Sequence, residues 1–393
     1  MFAYNYLTSN ISINVTVGST KILIIAGEAS GDMHGAALVA ELQKLNPTLS
    51  FFGVGGDKMG KEGVSLLEHT DKMAIMGFTE VLTKYGFLKK VFNKVIDLAI
   101  ELQPARAILI DYPGFNLKLS KKFKELKIPV TYYIPPQLWA WHESRIEIIK
   151  KYVDQVICIF PFEKEWYKKR GINVEFVGHP FLDLKEEMFS KTKFLKKHRM
   201  PEEAQIVSLF PGSRQKEVDR HLPIMLETIK RLKKENKKIV CIIGKAKDVT
   251  INLPKTNYLK IEENTPVSAL RYSDVAIVAS GTVTLEAALF ETPTVVIYKL
   301  SVISGFLAKI LVKVKFVSMP NLIANKAVFP ELLLSDGTPE KITAEVKYLL
   351  QSTTRREEML GEIKKVKIKL GRPGASRRAA YLIDKVITSN KND

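Results

Sequence analysis

Short, uninterrupted runs of aliphatic and β-branched residues recur along this chain, each followed by a loop and then by a segment of helical period. Ile22–Ala26, Ala107–Ile110, Val130–Ile134 and Gln155–Phe160 form one series; Ile206–Phe210, Ile239–Ile243, Val275–Ala279 and Thr294–Tyr298 form a second. A strand with one solvated face alternates apolar and polar residues, whereas a continuous run buries both faces, as in parallel sheets covered by helices. Helical spacing lies between the runs, at Leu38–Leu45, Glu217–Lys234 and Thr284–Phe290. Strands and helices that alternate in this way need crossover connections, which predicts α/β layers. Gly53-Val-Gly-Gly56 follows an apolar run and reads as a turn.

At 393 residues the chain exceeds one ordinary domain. The charged segment Asp183–Glu203 has few strand formers and separates the two series, so the expected organisation is two Rossmann-like domains, 21–182 and 183–370. Residues 1–20 form an N-terminal extension. It has no basic stretch ahead of an apolar block, which argues against a signal peptide and for a chain that stays in the cytoplasm. Residues 371–393, beginning at the breaks Gly371 and Pro373, are expected as a C-terminal helix that packs back on the first domain. Cys158 and Cys241 each lie in an apolar run and read as buried, reduced thiols. No run of 18 apolar residues is present to span a bilayer.

Lys and Arg number 60 against 42 Asp and Glu, a net charge of +18, so a polyanionic partner is expected: nucleic acid, an anionic membrane or phosphorylated substrates. Two segments bear on the choice. Lys84–Ile96 interleaves Tyr85, Phe87, Leu88 and Phe92 with Lys84, Lys89, Lys90 and Lys94, and Lys299–Lys315 carries four lysines and no acid among its apolar residues. Each fits an anionic bilayer surface, or else a core-facing helix with a solvated lysine face. Taken with the overall charge, the pair favours peripheral membrane contact. Nucleic acid is not expected, since no reading motif accompanies the charge.

In open α/β sheets, ligands bind outside the carboxyl ends of the strands, so the loops there carry the chemistry. The first, Gly27-Glu-Ala-Ser-Gly-Asp32 with His34 close behind, brings Glu28, Ser30 and His34 to one place. Its alternative reading is a capping loop with Ser30 or Asp32 as N-cap. Asp111-Tyr-Pro-Gly-Phe-Asn116 puts a carboxylate at a buried strand's end, where desolvation raises its pKa toward a useful base, or where a turn aspartate bonds nearby N–H groups. Pro135-Pro-Gln-Leu-Trp-Ala-Trp141 offers Gln137, Trp139 and, just beyond, His142, with packing the simpler role. In the second half, Pro211-Gly-Ser-Arg214 presents an arginine before a helix, suited to a phosphate or to a surface ion pair. Ala279-Ser-Gly-Thr282 opens a helix bearing Glu286, a pattern that fits a diphosphate on free N–H groups and ribose hydroxyls on the glutamate, or a plainly capped helix. Asn321 stands near a further helix start as cap or ligand contact. No cluster calls for a metal.

These motifs, with Val177-Gly-His-Pro180 and Pro320-Asn-Leu322, occur in an order that resembles the lipid-A-disaccharide synthase family from about Lys21 to the last helices. The extension 1–20 lies ahead of the family's usual beginning. The resemblance implies an α/β fold of two Rossmann-like domains facing across a cleft, the GT-B type, with C-terminal helices. It implies an inverting transfer from UDP-2,3-diacylglucosamine to 2,3-diacylglucosamine 1-phosphate, giving UDP and a β-1,6-linked tetraacyl disaccharide 1-phosphate at the inner face of the bacterial inner membrane, without cofactor or metal. Residue by residue, Asp111 becomes the catalytic base. Arg214, Ser280, Gly281, Thr282, Glu286 and Asn321 bind the UDP-sugar, and Glu28, Ser30 and His34 line the acceptor side. The alternative is another UDP-sugar enzyme of this fold, a muramyl-type N-acetylglucosaminyltransferase or a UDP-sugar 2-epimerase. The Gly27–Asp32 and Asp111 motifs separate this chain from that wider group.

Overall fold

The computed structural model describes residues 3–8, 11–16, 18–73, 78–140, 142–183, 190–247, 249–299 and 315–389. Trp141 and most of Lys299–Lys315 lie outside the described residues. The chain divides into two compact units, Met1–Asp183 with Gly371–Asp393, and Leu184–Leu370.

The first unit is built on seven parallel strands: β3 (Thr20–Ala26), β4 (Leu49–Gly55), β5 (Ser65–His69), β6 (Arg106–Ile110), β7 (Val130–Tyr133), β8 (Gln155–Cys158) and β9 (Glu175–Phe176), in the order β5-β4-β3-β6-β7-β8-β9. The continuous runs are the central strands: Ile22 to Ala26 and Ala107 to Ile110 have no exposed surface at all. The second unit repeats the plan with six parallel strands, β10 (Gln205–Phe210), β11 (Ile239–Gly244), β12 (Leu259–Glu262), β13 (Val275–Ala279), β14 (Thr294–Tyr298) and β15 (Glu331–Leu333), ordered β12-β11-β10-β13-β14-β15. Ahead of both, β1 (Ala3–Thr8) and β2 (Ile11–Thr16) pair as an antiparallel hairpin within the N-terminal extension.

Two local expectations change. Gly53 to Gly55 belong to β4 and not to a turn. Gly53 has φ +146°, and a Cβ there would lie 2.0 Å from the Ile24 carbonyl oxygen, so glycine is needed for the neighbouring strand to come close. The charged stretch 183–203 contains a helix, Lys191–His198, capped by Ser190 and anchored through buried Phe194 and Leu195. Both cysteines are buried and free.

The helix Ala375–Ser389 belongs to the first unit. Asp183 accepts the N–H groups of Gly374, Ala375 (3.2 Å) and Ser376 (3.0 Å), satisfying donors that a helix start leaves open. Asn46 reaches Asp384 at 3.1 Å and Gln155 reaches the Leu382 carbonyl at 3.1 Å, so the helix is bonded at its start and along its middle to other elements of the first unit.

Candidate active site

In both units the strand order reverses at the centre, between β3 and β6 and between β10 and β13, and the loops leaving these strands flank the crevice where such folds bind ligands. The Gly27–Asp32, Asp111–Asn116, Pro211–Arg214 and Ser280–Thr282 motifs occupy those four loops.

In the first unit Ala26 pairs with Ile110, so Gly27 and Asp111 leave the sheet side by side. Asp111 and Tyr112 take left-handed conformations in succession, φ +45° and +50°. Such conformations cost on the order of 1–3 kcal/mol per residue and persist only when the surroundings fix them. Here the Asp111 N–H donates to the Ile134 carbonyl (3.2 Å), while its own carbonyl accepts from the Tyr132 hydroxyl (2.8 Å) and from Asn116 Nδ2 (2.7 Å). Asn116 is fully buried and also donates to the Ile110 carbonyl at 3.1 Å. The Tyr112 ring rests on Gly27, where any Cβ would meet ring carbons at 2.3 Å, and its hydroxyl donates to the Met73 carbonyl at 2.9 Å. These bonds aim the half-buried Asp111 carboxylate. Burial, reinforced by the charge of Glu28, pushes its pKa up to about 6.

Around this carboxylate the expected residues separate. Glu28 and Ser30 are exposed. His34 is buried, its ring 5.8 Å from that of Phe181, and burial with the Lys58 charge lowers its pKa to about 4, so it is a neutral packed histidine. Asp32 caps a different helix from the one expected: its carboxylate accepts the N–H groups of Gly56 (2.7 Å), Lys58 (3.1 Å) and Met59 (3.0 Å) at the start of Asp57–Lys61. Gln137 and His142 are exposed, and the Trp139 indole donates to Glu163 at 3.1 Å. Glu163 is a buried carboxylate that the sequence reading missed. It also accepts the Phe160 N–H at 3.2 Å, and burial raises its pKa to about 7. Its signal was present as a glutamate in the first turn of a helix opening on Pro161.

In the second unit Arg214, Ser280, Gly281, Thr282 and Glu286 line one cavity of about 610 Å³. Arg214 is the N-cap of Gln215–Glu235, with its side chain 60% exposed and a guanidinium nitrogen 3.7 Å from Glu217. The second Glu217 oxygen accepts the Ser213 N–H at 3.2 Å, and Gly212 (φ +135°) leaves room for that carboxylate, since a Cβ would stand 2.5 Å from Glu217 Cβ. Ser280 spends its hydroxyl on the Val317 carbonyl (3.0 Å). What the turn offers a ligand is therefore backbone: the N–H groups that open Thr282–Leu289, at the positive end of the helix, behind a glycine with φ +156° and ψ −162°.

Two residues behind the cavity differ from expectation. Asn321, expected at the donor, is fully buried, and its amide is saturated internally: Nδ2 donates to the Phe329 carbonyl and to Glu331, and Oδ1 accepts the Val328 and Phe329 N–H groups, all at 2.8 Å. It braces the loop into β15 and has no valence left for a sugar. His221, missed in the sequence, is also fully buried. Its Nδ1 bonds the Pro211 carbonyl at 2.7 Å and its Nε2 accepts the Lys299 N–H at 3.0 Å, so a neutral imidazole of fixed tautomer ties the arginine turn to the end of β14.

The first unit thus presents a carboxylate of raised pKa, and the second a turn of positive character. Among solved structures the chain resembles a UDP-GlcNAc 2-epimerase from Neisseria meningitidis bound to UDP-GlcNAc (TM-score 0.67, 14% identity, covering 93% of this chain and 100% of that one). It also resembles the calicheamicin glycosyltransferase CalG4 (TM-score 0.60, 13% identity, 94% and 98% covered). At these identities the likeness is one of fold. Sequence separates the possibilities. A curated lipid-A-disaccharide synthase of Myxococcus xanthus is 39% identical over 366 residues, 92% of this chain and 96% of that one, and one of Solibacter usitatus is 38% identical over 371 residues, 93% and 97%. The family model for lipid-A-disaccharide synthetase matches residues 22–386. The chain belongs to the lipid-A-disaccharide synthase family of glycosyltransferases.

Proposed function

We propose that the chain condenses UDP-2,3-diacylglucosamine with 2,3-diacylglucosamine 1-phosphate, with inversion at the donor's anomeric carbon, the first unit taking the acceptor and the second the UDP-sugar. The observation that carries this reading is Asp111, a fixed carboxylate whose pKa of about 6 leaves it ionised at neutral pH yet basic enough to accept a proton in the transition state. Asp111 takes the proton of the acceptor 6-hydroxyl as its oxygen bonds to the anomeric carbon, and the bond from that carbon to the UDP oxygen breaks on the opposite face. Negative charge then grows on the diphosphate, where Arg214 and the N–H groups after Gly281 receive it. Glu286 holds the ribose hydroxyls. Glu28 and Ser30 border the acceptor, and the buried His34 contributes packing behind them.

Membrane association at the cytoplasmic face is part of the proposal and rests on the net charge of +18 and on acyl substrates held in a leaflet. Among the described residues no helix is long and apolar enough to cross a membrane. In the helix Phe78–Leu102, Val91 and Val95 are buried in the core while Tyr85, Lys89 and Lys90 are exposed, so basic side chains face out. Charge reversal at Lys89 and Lys90 is expected to reduce sedimentation with anionic vesicles, and unchanged sedimentation would remove this helix from the membrane surface. The function itself is tested by turnover of the two lipids in mixed micelles with EDTA present, following UDP and the disaccharide by mass. Disaccharide formed under chelation supports the reading. UDP released without disaccharide means a different acceptor, and no reaction at all overturns the substrate assignment.

A further inference from the structure

An apolar hollow adjoins the Asp111 loop and has no part in the chemistry above. It lies between the helices Phe78–Leu102 and Pro113–Glu125, holds about 490 Å³, and is walled by Leu88, Phe92, Tyr112 and Phe115, with Lys89 and Lys118 at its rim. The walls are fixed. Phe92 and Phe115 meet edge to face at 5.7 Å, the Tyr112 and Phe115 rings lie 5.9 Å apart, and Tyr112 is pinned by Gly27 and the Met73 carbonyl. A second hollow of about 360 Å³ shares Phe92 and Asn93 with the first, reaches Ile96 and Leu126 and is bordered by the Lys122–Glu125 ion pair. Gly114 to Glu125 spans about 16 Å at 1.5 Å rise per residue. Side by side along these two helices, the hollows form a groove that is apolar near Tyr112 and charged at its far end.

Resting on the acyl-sugar reading above, we infer that this groove holds a fatty-acyl chain of the acceptor, and that Tyr112, which walls the groove and follows Asp111 directly, transmits the seat of that chain to the position of the attacking hydroxyl. Three observations agree on the occupant. The lining between the two helices is apolar, which suits an acyl chain. The rim lysines, both exposed and without an ion pair among the described residues, complement a sugar phosphate. The charged far end stops an apolar chain, so the groove discriminates by length: each methylene moved from water is worth roughly four-fold in affinity until the chain meets that end.

Gly114 provides the test. It lines the groove with ordinary backbone angles, and a Cβ added there meets no atom within 4 Å, so a larger side chain enters the groove without strain. With acceptors bearing 14-carbon and 4-carbon acyl groups, Gly114→Trp is expected to lower the long-to-short ratio of kcat/KM at least ten-fold, while UDP affinity by calorimetry is retained. If the ratio follows the donor's chain length instead, the groove belongs to the donor and the acceptor assignment is overturned. Equal loss on long and short acceptors removes the groove from chain recognition. Loss of vesicle sedimentation with an unchanged ratio makes it a membrane surface. A probe independent of turnover separates this inference from the functional reading: the wild-type protein is expected to bind the fluorescent fatty acid cis-parinaric acid saturably, with Gly114→Trp weakening it at least ten-fold. Probe binding lost in the variant while wild-type transfer is absent would keep the groove and reject the function. No saturable binding by the wild type rejects the groove.

Discussion

The two units share a strand order and a reversal point, yet the loops there carry opposite characters. At the first, the chain is bent through two left-handed non-glycine residues to hold one carboxylate, and Tyr132, Asn116 and the Ile134 carbonyl absorb the strain. At the second, glycine takes the unusual angles at 212 and 281, nothing is buried against its preference, and the functional groups are N–H donors and a largely exposed arginine. The difference follows from chemistry. A base must be partly desolvated to be strong, which needs a rigid and costly support, whereas a diphosphate site only has to leave donors unpaired. The same scaffold therefore stores strain around a half-buried carboxylate and leaves backbone donors open beside an exposed arginine.

This contrast can be broken by substitution, and the largest effect is expected at the strained end. Asp111→Asn should lower turnover on the order of 10²–10⁴-fold, measured as disaccharide formed per unit time. The same variant should be more stable at neutral pH. With a folded pKa of about 6 against an ordinary value of 3.8, the unfolded chain ionises first, so stability falls as pH rises between these values and stays low above them. The gain in Tm for Asp111→Asn, expected at a few degrees at pH 7, should vanish below about pH 4; a gain independent of pH would mean the carboxylate is not desolvated. Arg214→Ala comes next, with kcat reduced roughly 10²-fold and KM changed less, as befits charge that develops in the transition state. A loss confined to KM would make the open site a ground-state clamp.

Glu286 and Asn321 sharpen the comparison within the second unit. Glu286→Ala should weaken UDP binding about ten-fold by calorimetry, the scale of a charged hydrogen bond. Asn321→Ala should leave UDP affinity in the folded protein near normal but lower stability by about 2–3 kcal/mol in denaturant unfolding, because Glu331 and the N–H groups of Val328 and Phe329 lose their partner in the interior. The smallest expected effect is at Glu28→Gln. Removing that neighbouring charge should move the acid limb of the kcat/KM profile, expected near pH 6 in the wild type, downward by a few tenths of a unit. An unmoved limb would assign the raised pKa to burial alone.

The central strands could be read from the sequence because burial on both faces removes every polar residue from runs such as Ile22–Ala26. β4 escaped because its glycines look like a turn, and their reason, the approach of the Ile24 carbonyl, comes from a neighbouring strand. β9, β12 and β15 are short, and the residues of β12 include Lys260 and Glu262, so no run signals them. The cavity residues Arg214, Ser280 and Glu286 were legible because each stands at a fixed offset from a strand end. Asn321 and Asp32 misled for the opposite reason. Their partners lie 7 to 10 and 24 to 27 residues further along the chain, and whether an amide or carboxylate is spent internally depends on loops folding back onto it. Glu163 and His221 act through the same kind of tertiary bond and left only faint local traces.

The bonds that Asp183 makes to Gly374, Ala375 and Ser376 close a unit whose two pieces are separated by all of Leu184–Leu370. During synthesis, then, the second unit can emerge whole and fold while the first still lacks the helix that seals Asn46 and Gln155. The first unit is therefore completed only by the last residues to be made, after every residue of the second.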